Sequence, residues 1–416
     1  MARKKRKTVS ARSSRAASPP EVVVVGAGAF GGWTALHLLE LGARVTLVDA
    51  WGAGHLRGTS SDESRIIRCG YGGKDVYSRW AWRARTLWQR YERAWRMQLF
   101  VPAGVLWLIA KEDGYTRASI SGLERLKIPY QRLSLAELRQ RFPQFSTAGL
   151  RFAYFEPQAG FLRARAATQA VAAAVDRAGG RVLMAEAQAP AGAGPRLKKL
   201  SLKSGGTLAA AHFVFACGPW LPQLFPALLG RRILSTQQEV FYFGPRAGDG
   251  RFDAPTLPAW IEPASAFYGI PADSARGVKI ADDRSGPPLD PTHGERTASR
   301  QSLENAHAYL ERRLPALQGA PLVEARVCQY ERTPDSHLVI DRHPQYDNVW
   351  LVGGGSGHGF KLGPALGEFV ARHVYPEPAA GRRGALGRRA SPLLPQMRIG
   401  ACAWPENTPR PGTRSF

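Results

Sequence analysis

Apolar residues gather in short blocks along the chain, and the first, Val22-Val23-Val24-Val25, sets the pattern. Four β-branched residues in a row, stopped by a glycine, predict a strand buried on both faces. A helix-like stretch follows to Leu41, and residues 44–49 repeat the strand pattern and end on Asp49. Residues 78–97 change period. Trp80, Ala84, Leu87, Trp88, Tyr91 and Trp95 fall at i, i+4 and i+7, with arginines opposite, which predicts a core-facing amphipathic helix.

Further along, 100–110 reads as a strand, 134–141 as a short helix, and the alanine-rich stretch to Arg177 as a helix closed by Gly179-Gly180. Strands are predicted at 181–188, 197–202 and 212–216, the last running into Cys217-Gly218. The runs 237–243, 259–262, 266–270 and 277–281 predict a separate, antiparallel sheet. A helix over 299–314 precedes strands at 322–331, 338–341 and 348–352, then a glycine loop and a helix to about His373. The chain thus leaves its first fold, returns, leaves and returns again. The expected class is α/β at the start and α+β overall. A Rossmann-like domain (21–99, 160–232 and 322–378) is interleaved with a substrate domain (100–159 and 233–321), and tails lie at 1–20 and 379–416.

The opening block carries the first chemistry. Between its strand and helix stands Gly26-Ala27-Gly28-Ala29-Phe30-Gly31. Gly26 suits the tight turn, Gly28 a close approach of a pyrophosphate to the backbone, and Gly31 close helix–sheet packing. The helix N-terminus faces the phosphates. Asp49 stands where an acid would hold a ribose hydroxyl. The motif leaves open whether the dinucleotide is NAD or FAD.

Composition changes the picture little. The chain has 416 residues and a net charge of +24, but residues 1–20 hold +7 and 379–416 hold +6, leaving +11 for the rest. Arg3-Lys4-Lys5-Arg6-Lys7 reads as a solvated tail rather than a nucleic-acid patch, and no apolar signal segment accompanies it. No run is long enough to span a membrane. Cys69, Cys217, Cys328 and Cys402 are widely spaced, which argues against a disulfide framework and a zinc site, and fits a reducing, cytoplasmic setting. Arg65 and Arg68, three apart beside the dinucleotide motif, suggest anion handling. Lys361 opens a helix, against the helix dipole, which hints at function.

Several motifs together resemble the flavin amine oxidases typified by monomeric sarcosine oxidase, with N-methyltryptophan, pipecolate and fructosyl amino acid oxidases as relatives. They are Gly26 to Gly31, Arg65-Ile66-Ile67-Arg68 with Tyr71-Gly72, Tyr268-Gly269-Ile270-Pro271, Gly277-Val278-Lys279, the stretch 328–341, and Gly357-His358-Gly359-Phe360-Lys361. The resemblance implies a monomeric enzyme that uses FAD, tethered through a thioether to Cys328. It implies oxidation of an amino acid or secondary amine to an imine, with O2 reduced to H2O2. By the same resemblance Arg68 and Lys361 clamp the substrate carboxylate, Lys279 promotes oxygen reduction, Arg65 lies near the flavin, and Tyr268, Tyr330 and His358 line the substrate cavity. Gly357 belongs to the cofactor-binding loop. Asp283, and the loop 60–64, depart from sarcosine oxidase, which carries histidines there. A dehydrogenase of the same fold with another electron acceptor is the alternative; a nucleic-acid-binding protein using the basic tail is a remote one.

Overall fold

The computed structural model describes residues 21–376. The tails expected at 1–20 and 379–416, with Cys402, lie outside the described residues.

Strand β1 (Glu21–Val25), helix α1 (Ala29–Glu40) and strand β2 (Arg44–Asp49) form the predicted opening unit. Three later stretches come back to β1 and β2. The six-stranded sheet runs Val339–Arg342, Val349–Gly353, His212–Phe215, β1, β2, Arg181–Met184. Its first pair is antiparallel and the others are parallel. Parallel strands place their C-terminal ends on one side, and a crevice opens there. The helix Gly363–Val374 packs across α1, and Trp33 fixes the contact. A Cβ on Gly363 or Gly367 would lie 2.6 or 2.5 Å from Trp33 atoms.

The second sheet has eight strands, in the order Leu322–Arg332, Leu234–Phe243, Val278–Asp282, Phe267–Ile270, Ala259–Glu262, Val105–Ile109, Phe152–Glu156, Gln131–Leu133. It is mixed: Ala259–Glu262 runs parallel to Val105–Ile109, and every other neighbour is antiparallel. The helix Arg300–Arg313 covers one face with Ala306, Tyr309 and Leu310 against Phe241, Trp260 and Ile280. A small sheet of Ser64–Ile67, Gly160–Arg163 and Phe100–Val101 joins the two large ones.

The structure departs from the sequence expectation in a few places. The single strand expected over 100–110 is two: Phe100–Val101 belongs to the small sheet and Val105–Ile109 to the large one. Gly104, at φ +74, makes the break, and a Cβ there would lie 2.2 Å from the Phe155 ring. The strand Leu322–Arg332 does not join the Rossmann-like segments; it hydrogen-bonds along Leu234–Phe243 at the edge of the eight-stranded sheet. The strand Phe152–Glu156 and the helix Gly114–Arg125 have no counterpart in the sequence reading. No helix among the described residues is long and apolar enough to cross a membrane.

Candidate active site

Two adjoining clefts lie where the sheets meet. The larger, of about 280 Å³, follows the C-terminal ends of the parallel strands. Gly26, Gly28 and Asp49 line it, with Arg65, Cys217, Tyr330, Glu331 and Gly357. Gly26 has φ +102, and a Cβ on it would lie 2.3 Å from Ala216 O. Gly31 does not line the cleft; a Cβ there would lie 1.8 Å from Gly26 O, so its part is to let α1 sit down on the turn. Gly28, just before helix α1, offers no side-chain cap, the first turn holds no acid, and Ser60 Oγ accepts the Ala29 amide at 3.1 Å. A helix N-terminus that faces a cleft with further first-turn amides is suited to an anion. Asp49 accepts the amides of Ala27 (2.7 Å), Trp51 and Gly52 (2.9 Å each), which fixes the carboxylate at the cleft wall. The glycine cradle, the helix N-terminus and the acid fit a dinucleotide.

The smaller cleft, about 60 Å³, is lined by Arg65, Arg68, Tyr268, Asp283, Tyr330, Gly357, His358 and Lys361. Six of the candidate residues therefore meet around one small space, together with Gly357. Arg68 stacks on Tyr71 at 4.3 Å and Trp107 at 5.1 Å and donates to Gly70 O. Lys361 Nζ donates to Tyr71 Oη (3.1 Å) and His358 O (3.0 Å), and lies 5.4 Å from the same Tyr71 ring. Both cations are buried, and among the described residues neither has a carboxylate within ion-pairing distance. Burial, then the Arg68 charge, holds the Lys361 ammonium well below its usual pKa. Glu156 and Asp283 act on the pair only from beyond ion-pairing distance, which leaves room for a direct anionic partner.

His358 Nε2 lies 2.9 Å from Ser336 O, so that nitrogen carries the proton and Nδ1 is the acceptor, buried and without a partner. Burial, reinforced by Lys361, pushes its pKa down to about 3, and the ring is neutral. Tyr330 donates to Asp283 Oδ1 at 3.0 Å. The positive φ of Gly357 (+79) brings it against that tyrosine, 2.8 Å from a built Cβ to the ring.

Lys279 and Cys328 line neither cleft. Lys279 is buried in an ion pair with Asp62, also donates to Ser64 O (3.1 Å), and lies 5.8 Å from the Tyr268 ring. Asp62 further accepts Arg65 Nη1 at 2.5 Å and Tyr242 Oη at 2.8 Å. Burial opposes its ionisation, but Lys279 and Arg65 outweigh burial and hold the carboxyl well below the usual carboxylate range. Cys328 Sγ lies 3.2 Å from Arg65 Nη2, so Arg65 links the thiol to the clefts.

Sequence reasoning missed Asp62, Tyr71 as the platform shared by Arg68 and Lys361, Glu156 and Glu331. Glu156 accepts the amides of Cys69 (2.7 Å) and Gly70 (3.2 Å) and Trp107 Nε1 (2.9 Å), which holds the turn after Arg68. Asp62 stood in a polar loop with nothing to single it out, and its partner is 217 positions away. A glutamate ending the expected strand 322–331 was the available signal for Glu331, and no strand was expected around Glu156.

A cleft that fits a dinucleotide, opening onto a small cationic pocket, is the arrangement of an enzyme that uses a nucleotide cofactor. Residues 21–373 match the family described as FAD dependent oxidoreductase, and the chain belongs to that family. It is similar to the monomeric sarcosine oxidase of Streptomyces avermitilis, at 31% identity over 84% of this chain and 92% of that one. It is also similar to the N-methyl-L-tryptophan oxidase of Yersinia pestis, at 26% identity over 86% and 96%. The L-proline dehydrogenase of P. horikoshii shares the fold, with a TM-score of 0.75, 22% identity, and 86% and 94% of the two chains covered.

Proposed function

We propose that the protein oxidises the C–N bond of an amino acid, or of an N-alkyl or cyclic amino acid, to an imine, with dioxygen as electron acceptor and hydrogen peroxide as product. One observation carries this reading: Arg68 and Lys361 are buried on one tyrosine ring, at a cleft adjoining the dinucleotide site, with no carboxylate among the described residues within ion-pairing distance. A substrate carboxylate completes the pair. A guanidinium offers a planar fork and an ammonium a point charge, which together orient a small carboxylate. When bound, FAD supplies the two-electron acceptor for this oxidation. Gly26, Gly28, Asp49 and the start of α1 hold its adenosine and diphosphate end. Gly357 shapes the wall shared with the substrate, and Gly31 seats the helix.

Around the substrate, neutral His358 presents a lone pair, while Tyr268 and Tyr330 shape the cavity and exclude water. Tyr330 also holds Asp283 at the cleft wall, where a carboxylate favours a substrate with cationic nitrogen. Lys279 places a cation that favours electron transfer to dioxygen, and Asp62 opposes the burial that lowers its pKa. Arg65 donates to Cys328 Sγ at 3.2 Å and itself lines the cofactor cleft, which supports a thioether tether to the cofactor. The protein in this reading is a monomer in the cytoplasm that binds neither nucleic acid nor membrane.

A second reading, an amine dehydrogenase with another acceptor, is favoured by the Asp62 carboxylate, which offsets the Lys279 charge. A peroxide-coupled screen over N-methyl, cyclic and cationic amino acids tests the proposal. One peroxide per amine consumed supports the oxidase. Turnover only with an artificial dye supports the dehydrogenase, and turnover of none of these amines with either acceptor overturns both. Acid precipitation tests the tether: yellow colour stays in the pellet, and leaves it in Cys328→Ala.

A further inference from the structure

Among the described carboxylates, Glu331 alone has a buried oxygen, Oε2, with no hydrogen-bond partner. The residue is 6% exposed and lines the large cleft. Its Oε1 accepts the Gly355 amide at 3.2 Å, which fixes the carboxyl plane. Oε2 lies between two glycines: a Cβ on Gly218 or on Gly353 would stand 3.6 Å from it. Those glycines follow or end the strands His212–Phe215 and Val349–Gly353, beside the Gly26 turn that abuts Ala216. The acid is thus built into the wall of the cleft proposed above to take the dinucleotide, whose diphosphate carries two negative charges.

The other titratable groups on that wall include Asp49, His55, Arg65, Cys217 and Tyr330. No ion pair reaches Glu331 among the described residues, and Arg65 is committed to Asp62 and Cys328. A carboxylate here would face an anionic ligand with no cation to offset it, and like charges in a water-poor site do not both stay ionised. We propose that Glu331 enters the cofactor complex as the neutral acid and donates a hydrogen bond through Oε2 to the bound dinucleotide. Burial already pushes its pKa up to about 7, and the ligand's charge acts in the same direction.

The consequence is linkage between cofactor affinity and pH. If only the protonated acid binds FAD, the dissociation constant rises about tenfold per pH unit above the free group's pKa. The test uses the full chain carrying Cys328→Ala, so that no tether forms, with free FAD measured by fluorescence after ultrafiltration. Between pH 7 and pH 9 the constant should rise roughly 50-fold. With Glu331→Gln added, which keeps a donor that does not titrate, the profile should be flat. A flat profile in the parent, or the same rise with and without the Glu331→Gln substitution, overturns the proposal. If Glu331→Gln does not fold, the infrared difference spectrum of the parent with and without FAD at pH 8 decides. A new protonated-carboxyl carbonyl band supports the proposal and its absence refutes it. Binding at the acid end of the range tests the cofactor assignment separately.

Discussion

Lys279 and Lys361 are both almost wholly buried, one on a strand of the eight-stranded sheet and one in the turn before the last helix, yet their surroundings are opposite. Lys279 faces a carboxylate that also takes Arg65 and Tyr242. Lys361 faces a phenol and a carbonyl, with Arg68 as its strongest charged influence and Asp283 and Glu156 beyond ion-pairing distance. A buried cation is tolerated when an anion is close and is costly when none is. The protein carries the anion for the first lysine in its own sequence. For the second, the arrangement makes sense when a ligand brings it. One site is structural in its charge balance and the other is a receptor.

The contrast can be broken by mutation, and the largest effect is expected at Asp62. Asp62→Ala leaves Lys279 and Arg65 buried without their shared anion and should cost about 3–5 kcal/mol of stability. Lys361→Met should cost nothing or stabilise, because it removes an unpaired buried charge. Denaturant midpoints of the two variants check this. The pH dependence follows from the depressed carboxyl of Asp62. Its contribution is complete at neutral pH and is lost as pH falls below the ordinary carboxylate range toward the depressed value. Asp62→Asn, although less stable, should lack that acid-side loss.

Next in size is substrate recognition. Arg68→Gln and Lys361→Met should each lower kcat/KM for an amino acid by about 2–4 kcal/mol, roughly 30- to 900-fold, and much less for the corresponding amide. Steady-state kinetics on an acid–amide pair measures the difference. The smallest effect belongs to His358. It is neutral from about pH 3 upward, so the pH profile of kcat/KM should lack a histidine inflection attributable to it. His358→Gln should cost about 1 kcal/mol and leave the profile's shape unchanged.

How legible these sites were depended on how local their logic is. The turn at Gly26, the helix after it and Asp49 sit within one short stretch, and all three stand where the periodicity put them. The helix placed at 78–97 forms as Asp75–Trp95, because its indole and phenol stripe has a clear period. The break at Gly104 was signalled by Pro102 and Gly104, which the apolar run around them masked, while the packing of Phe155 against Gly104 needed the fold. Arg68 and Lys361 could be chosen by resemblance, but their shared ring, Tyr71, needed the fold. Asp62 was hidden because a loop acid says nothing until the strand holding Lys279 is laid across it. Long-range charge pairing leaves no period in a sequence.

The central claim is that the pocket of Arg68 and Lys361 is a carboxylate receptor. Titration of the protein with acetate and with acetamide, followed by calorimetry, tests it most directly. Acetate should bind and acetamide should not. Lys361→Met should abolish the acetate signal, and Lys279→Met should leave it in place. Equal binding of both ligands, or acetate binding that survives Lys361→Met and disappears in Lys279→Met, would contradict the account.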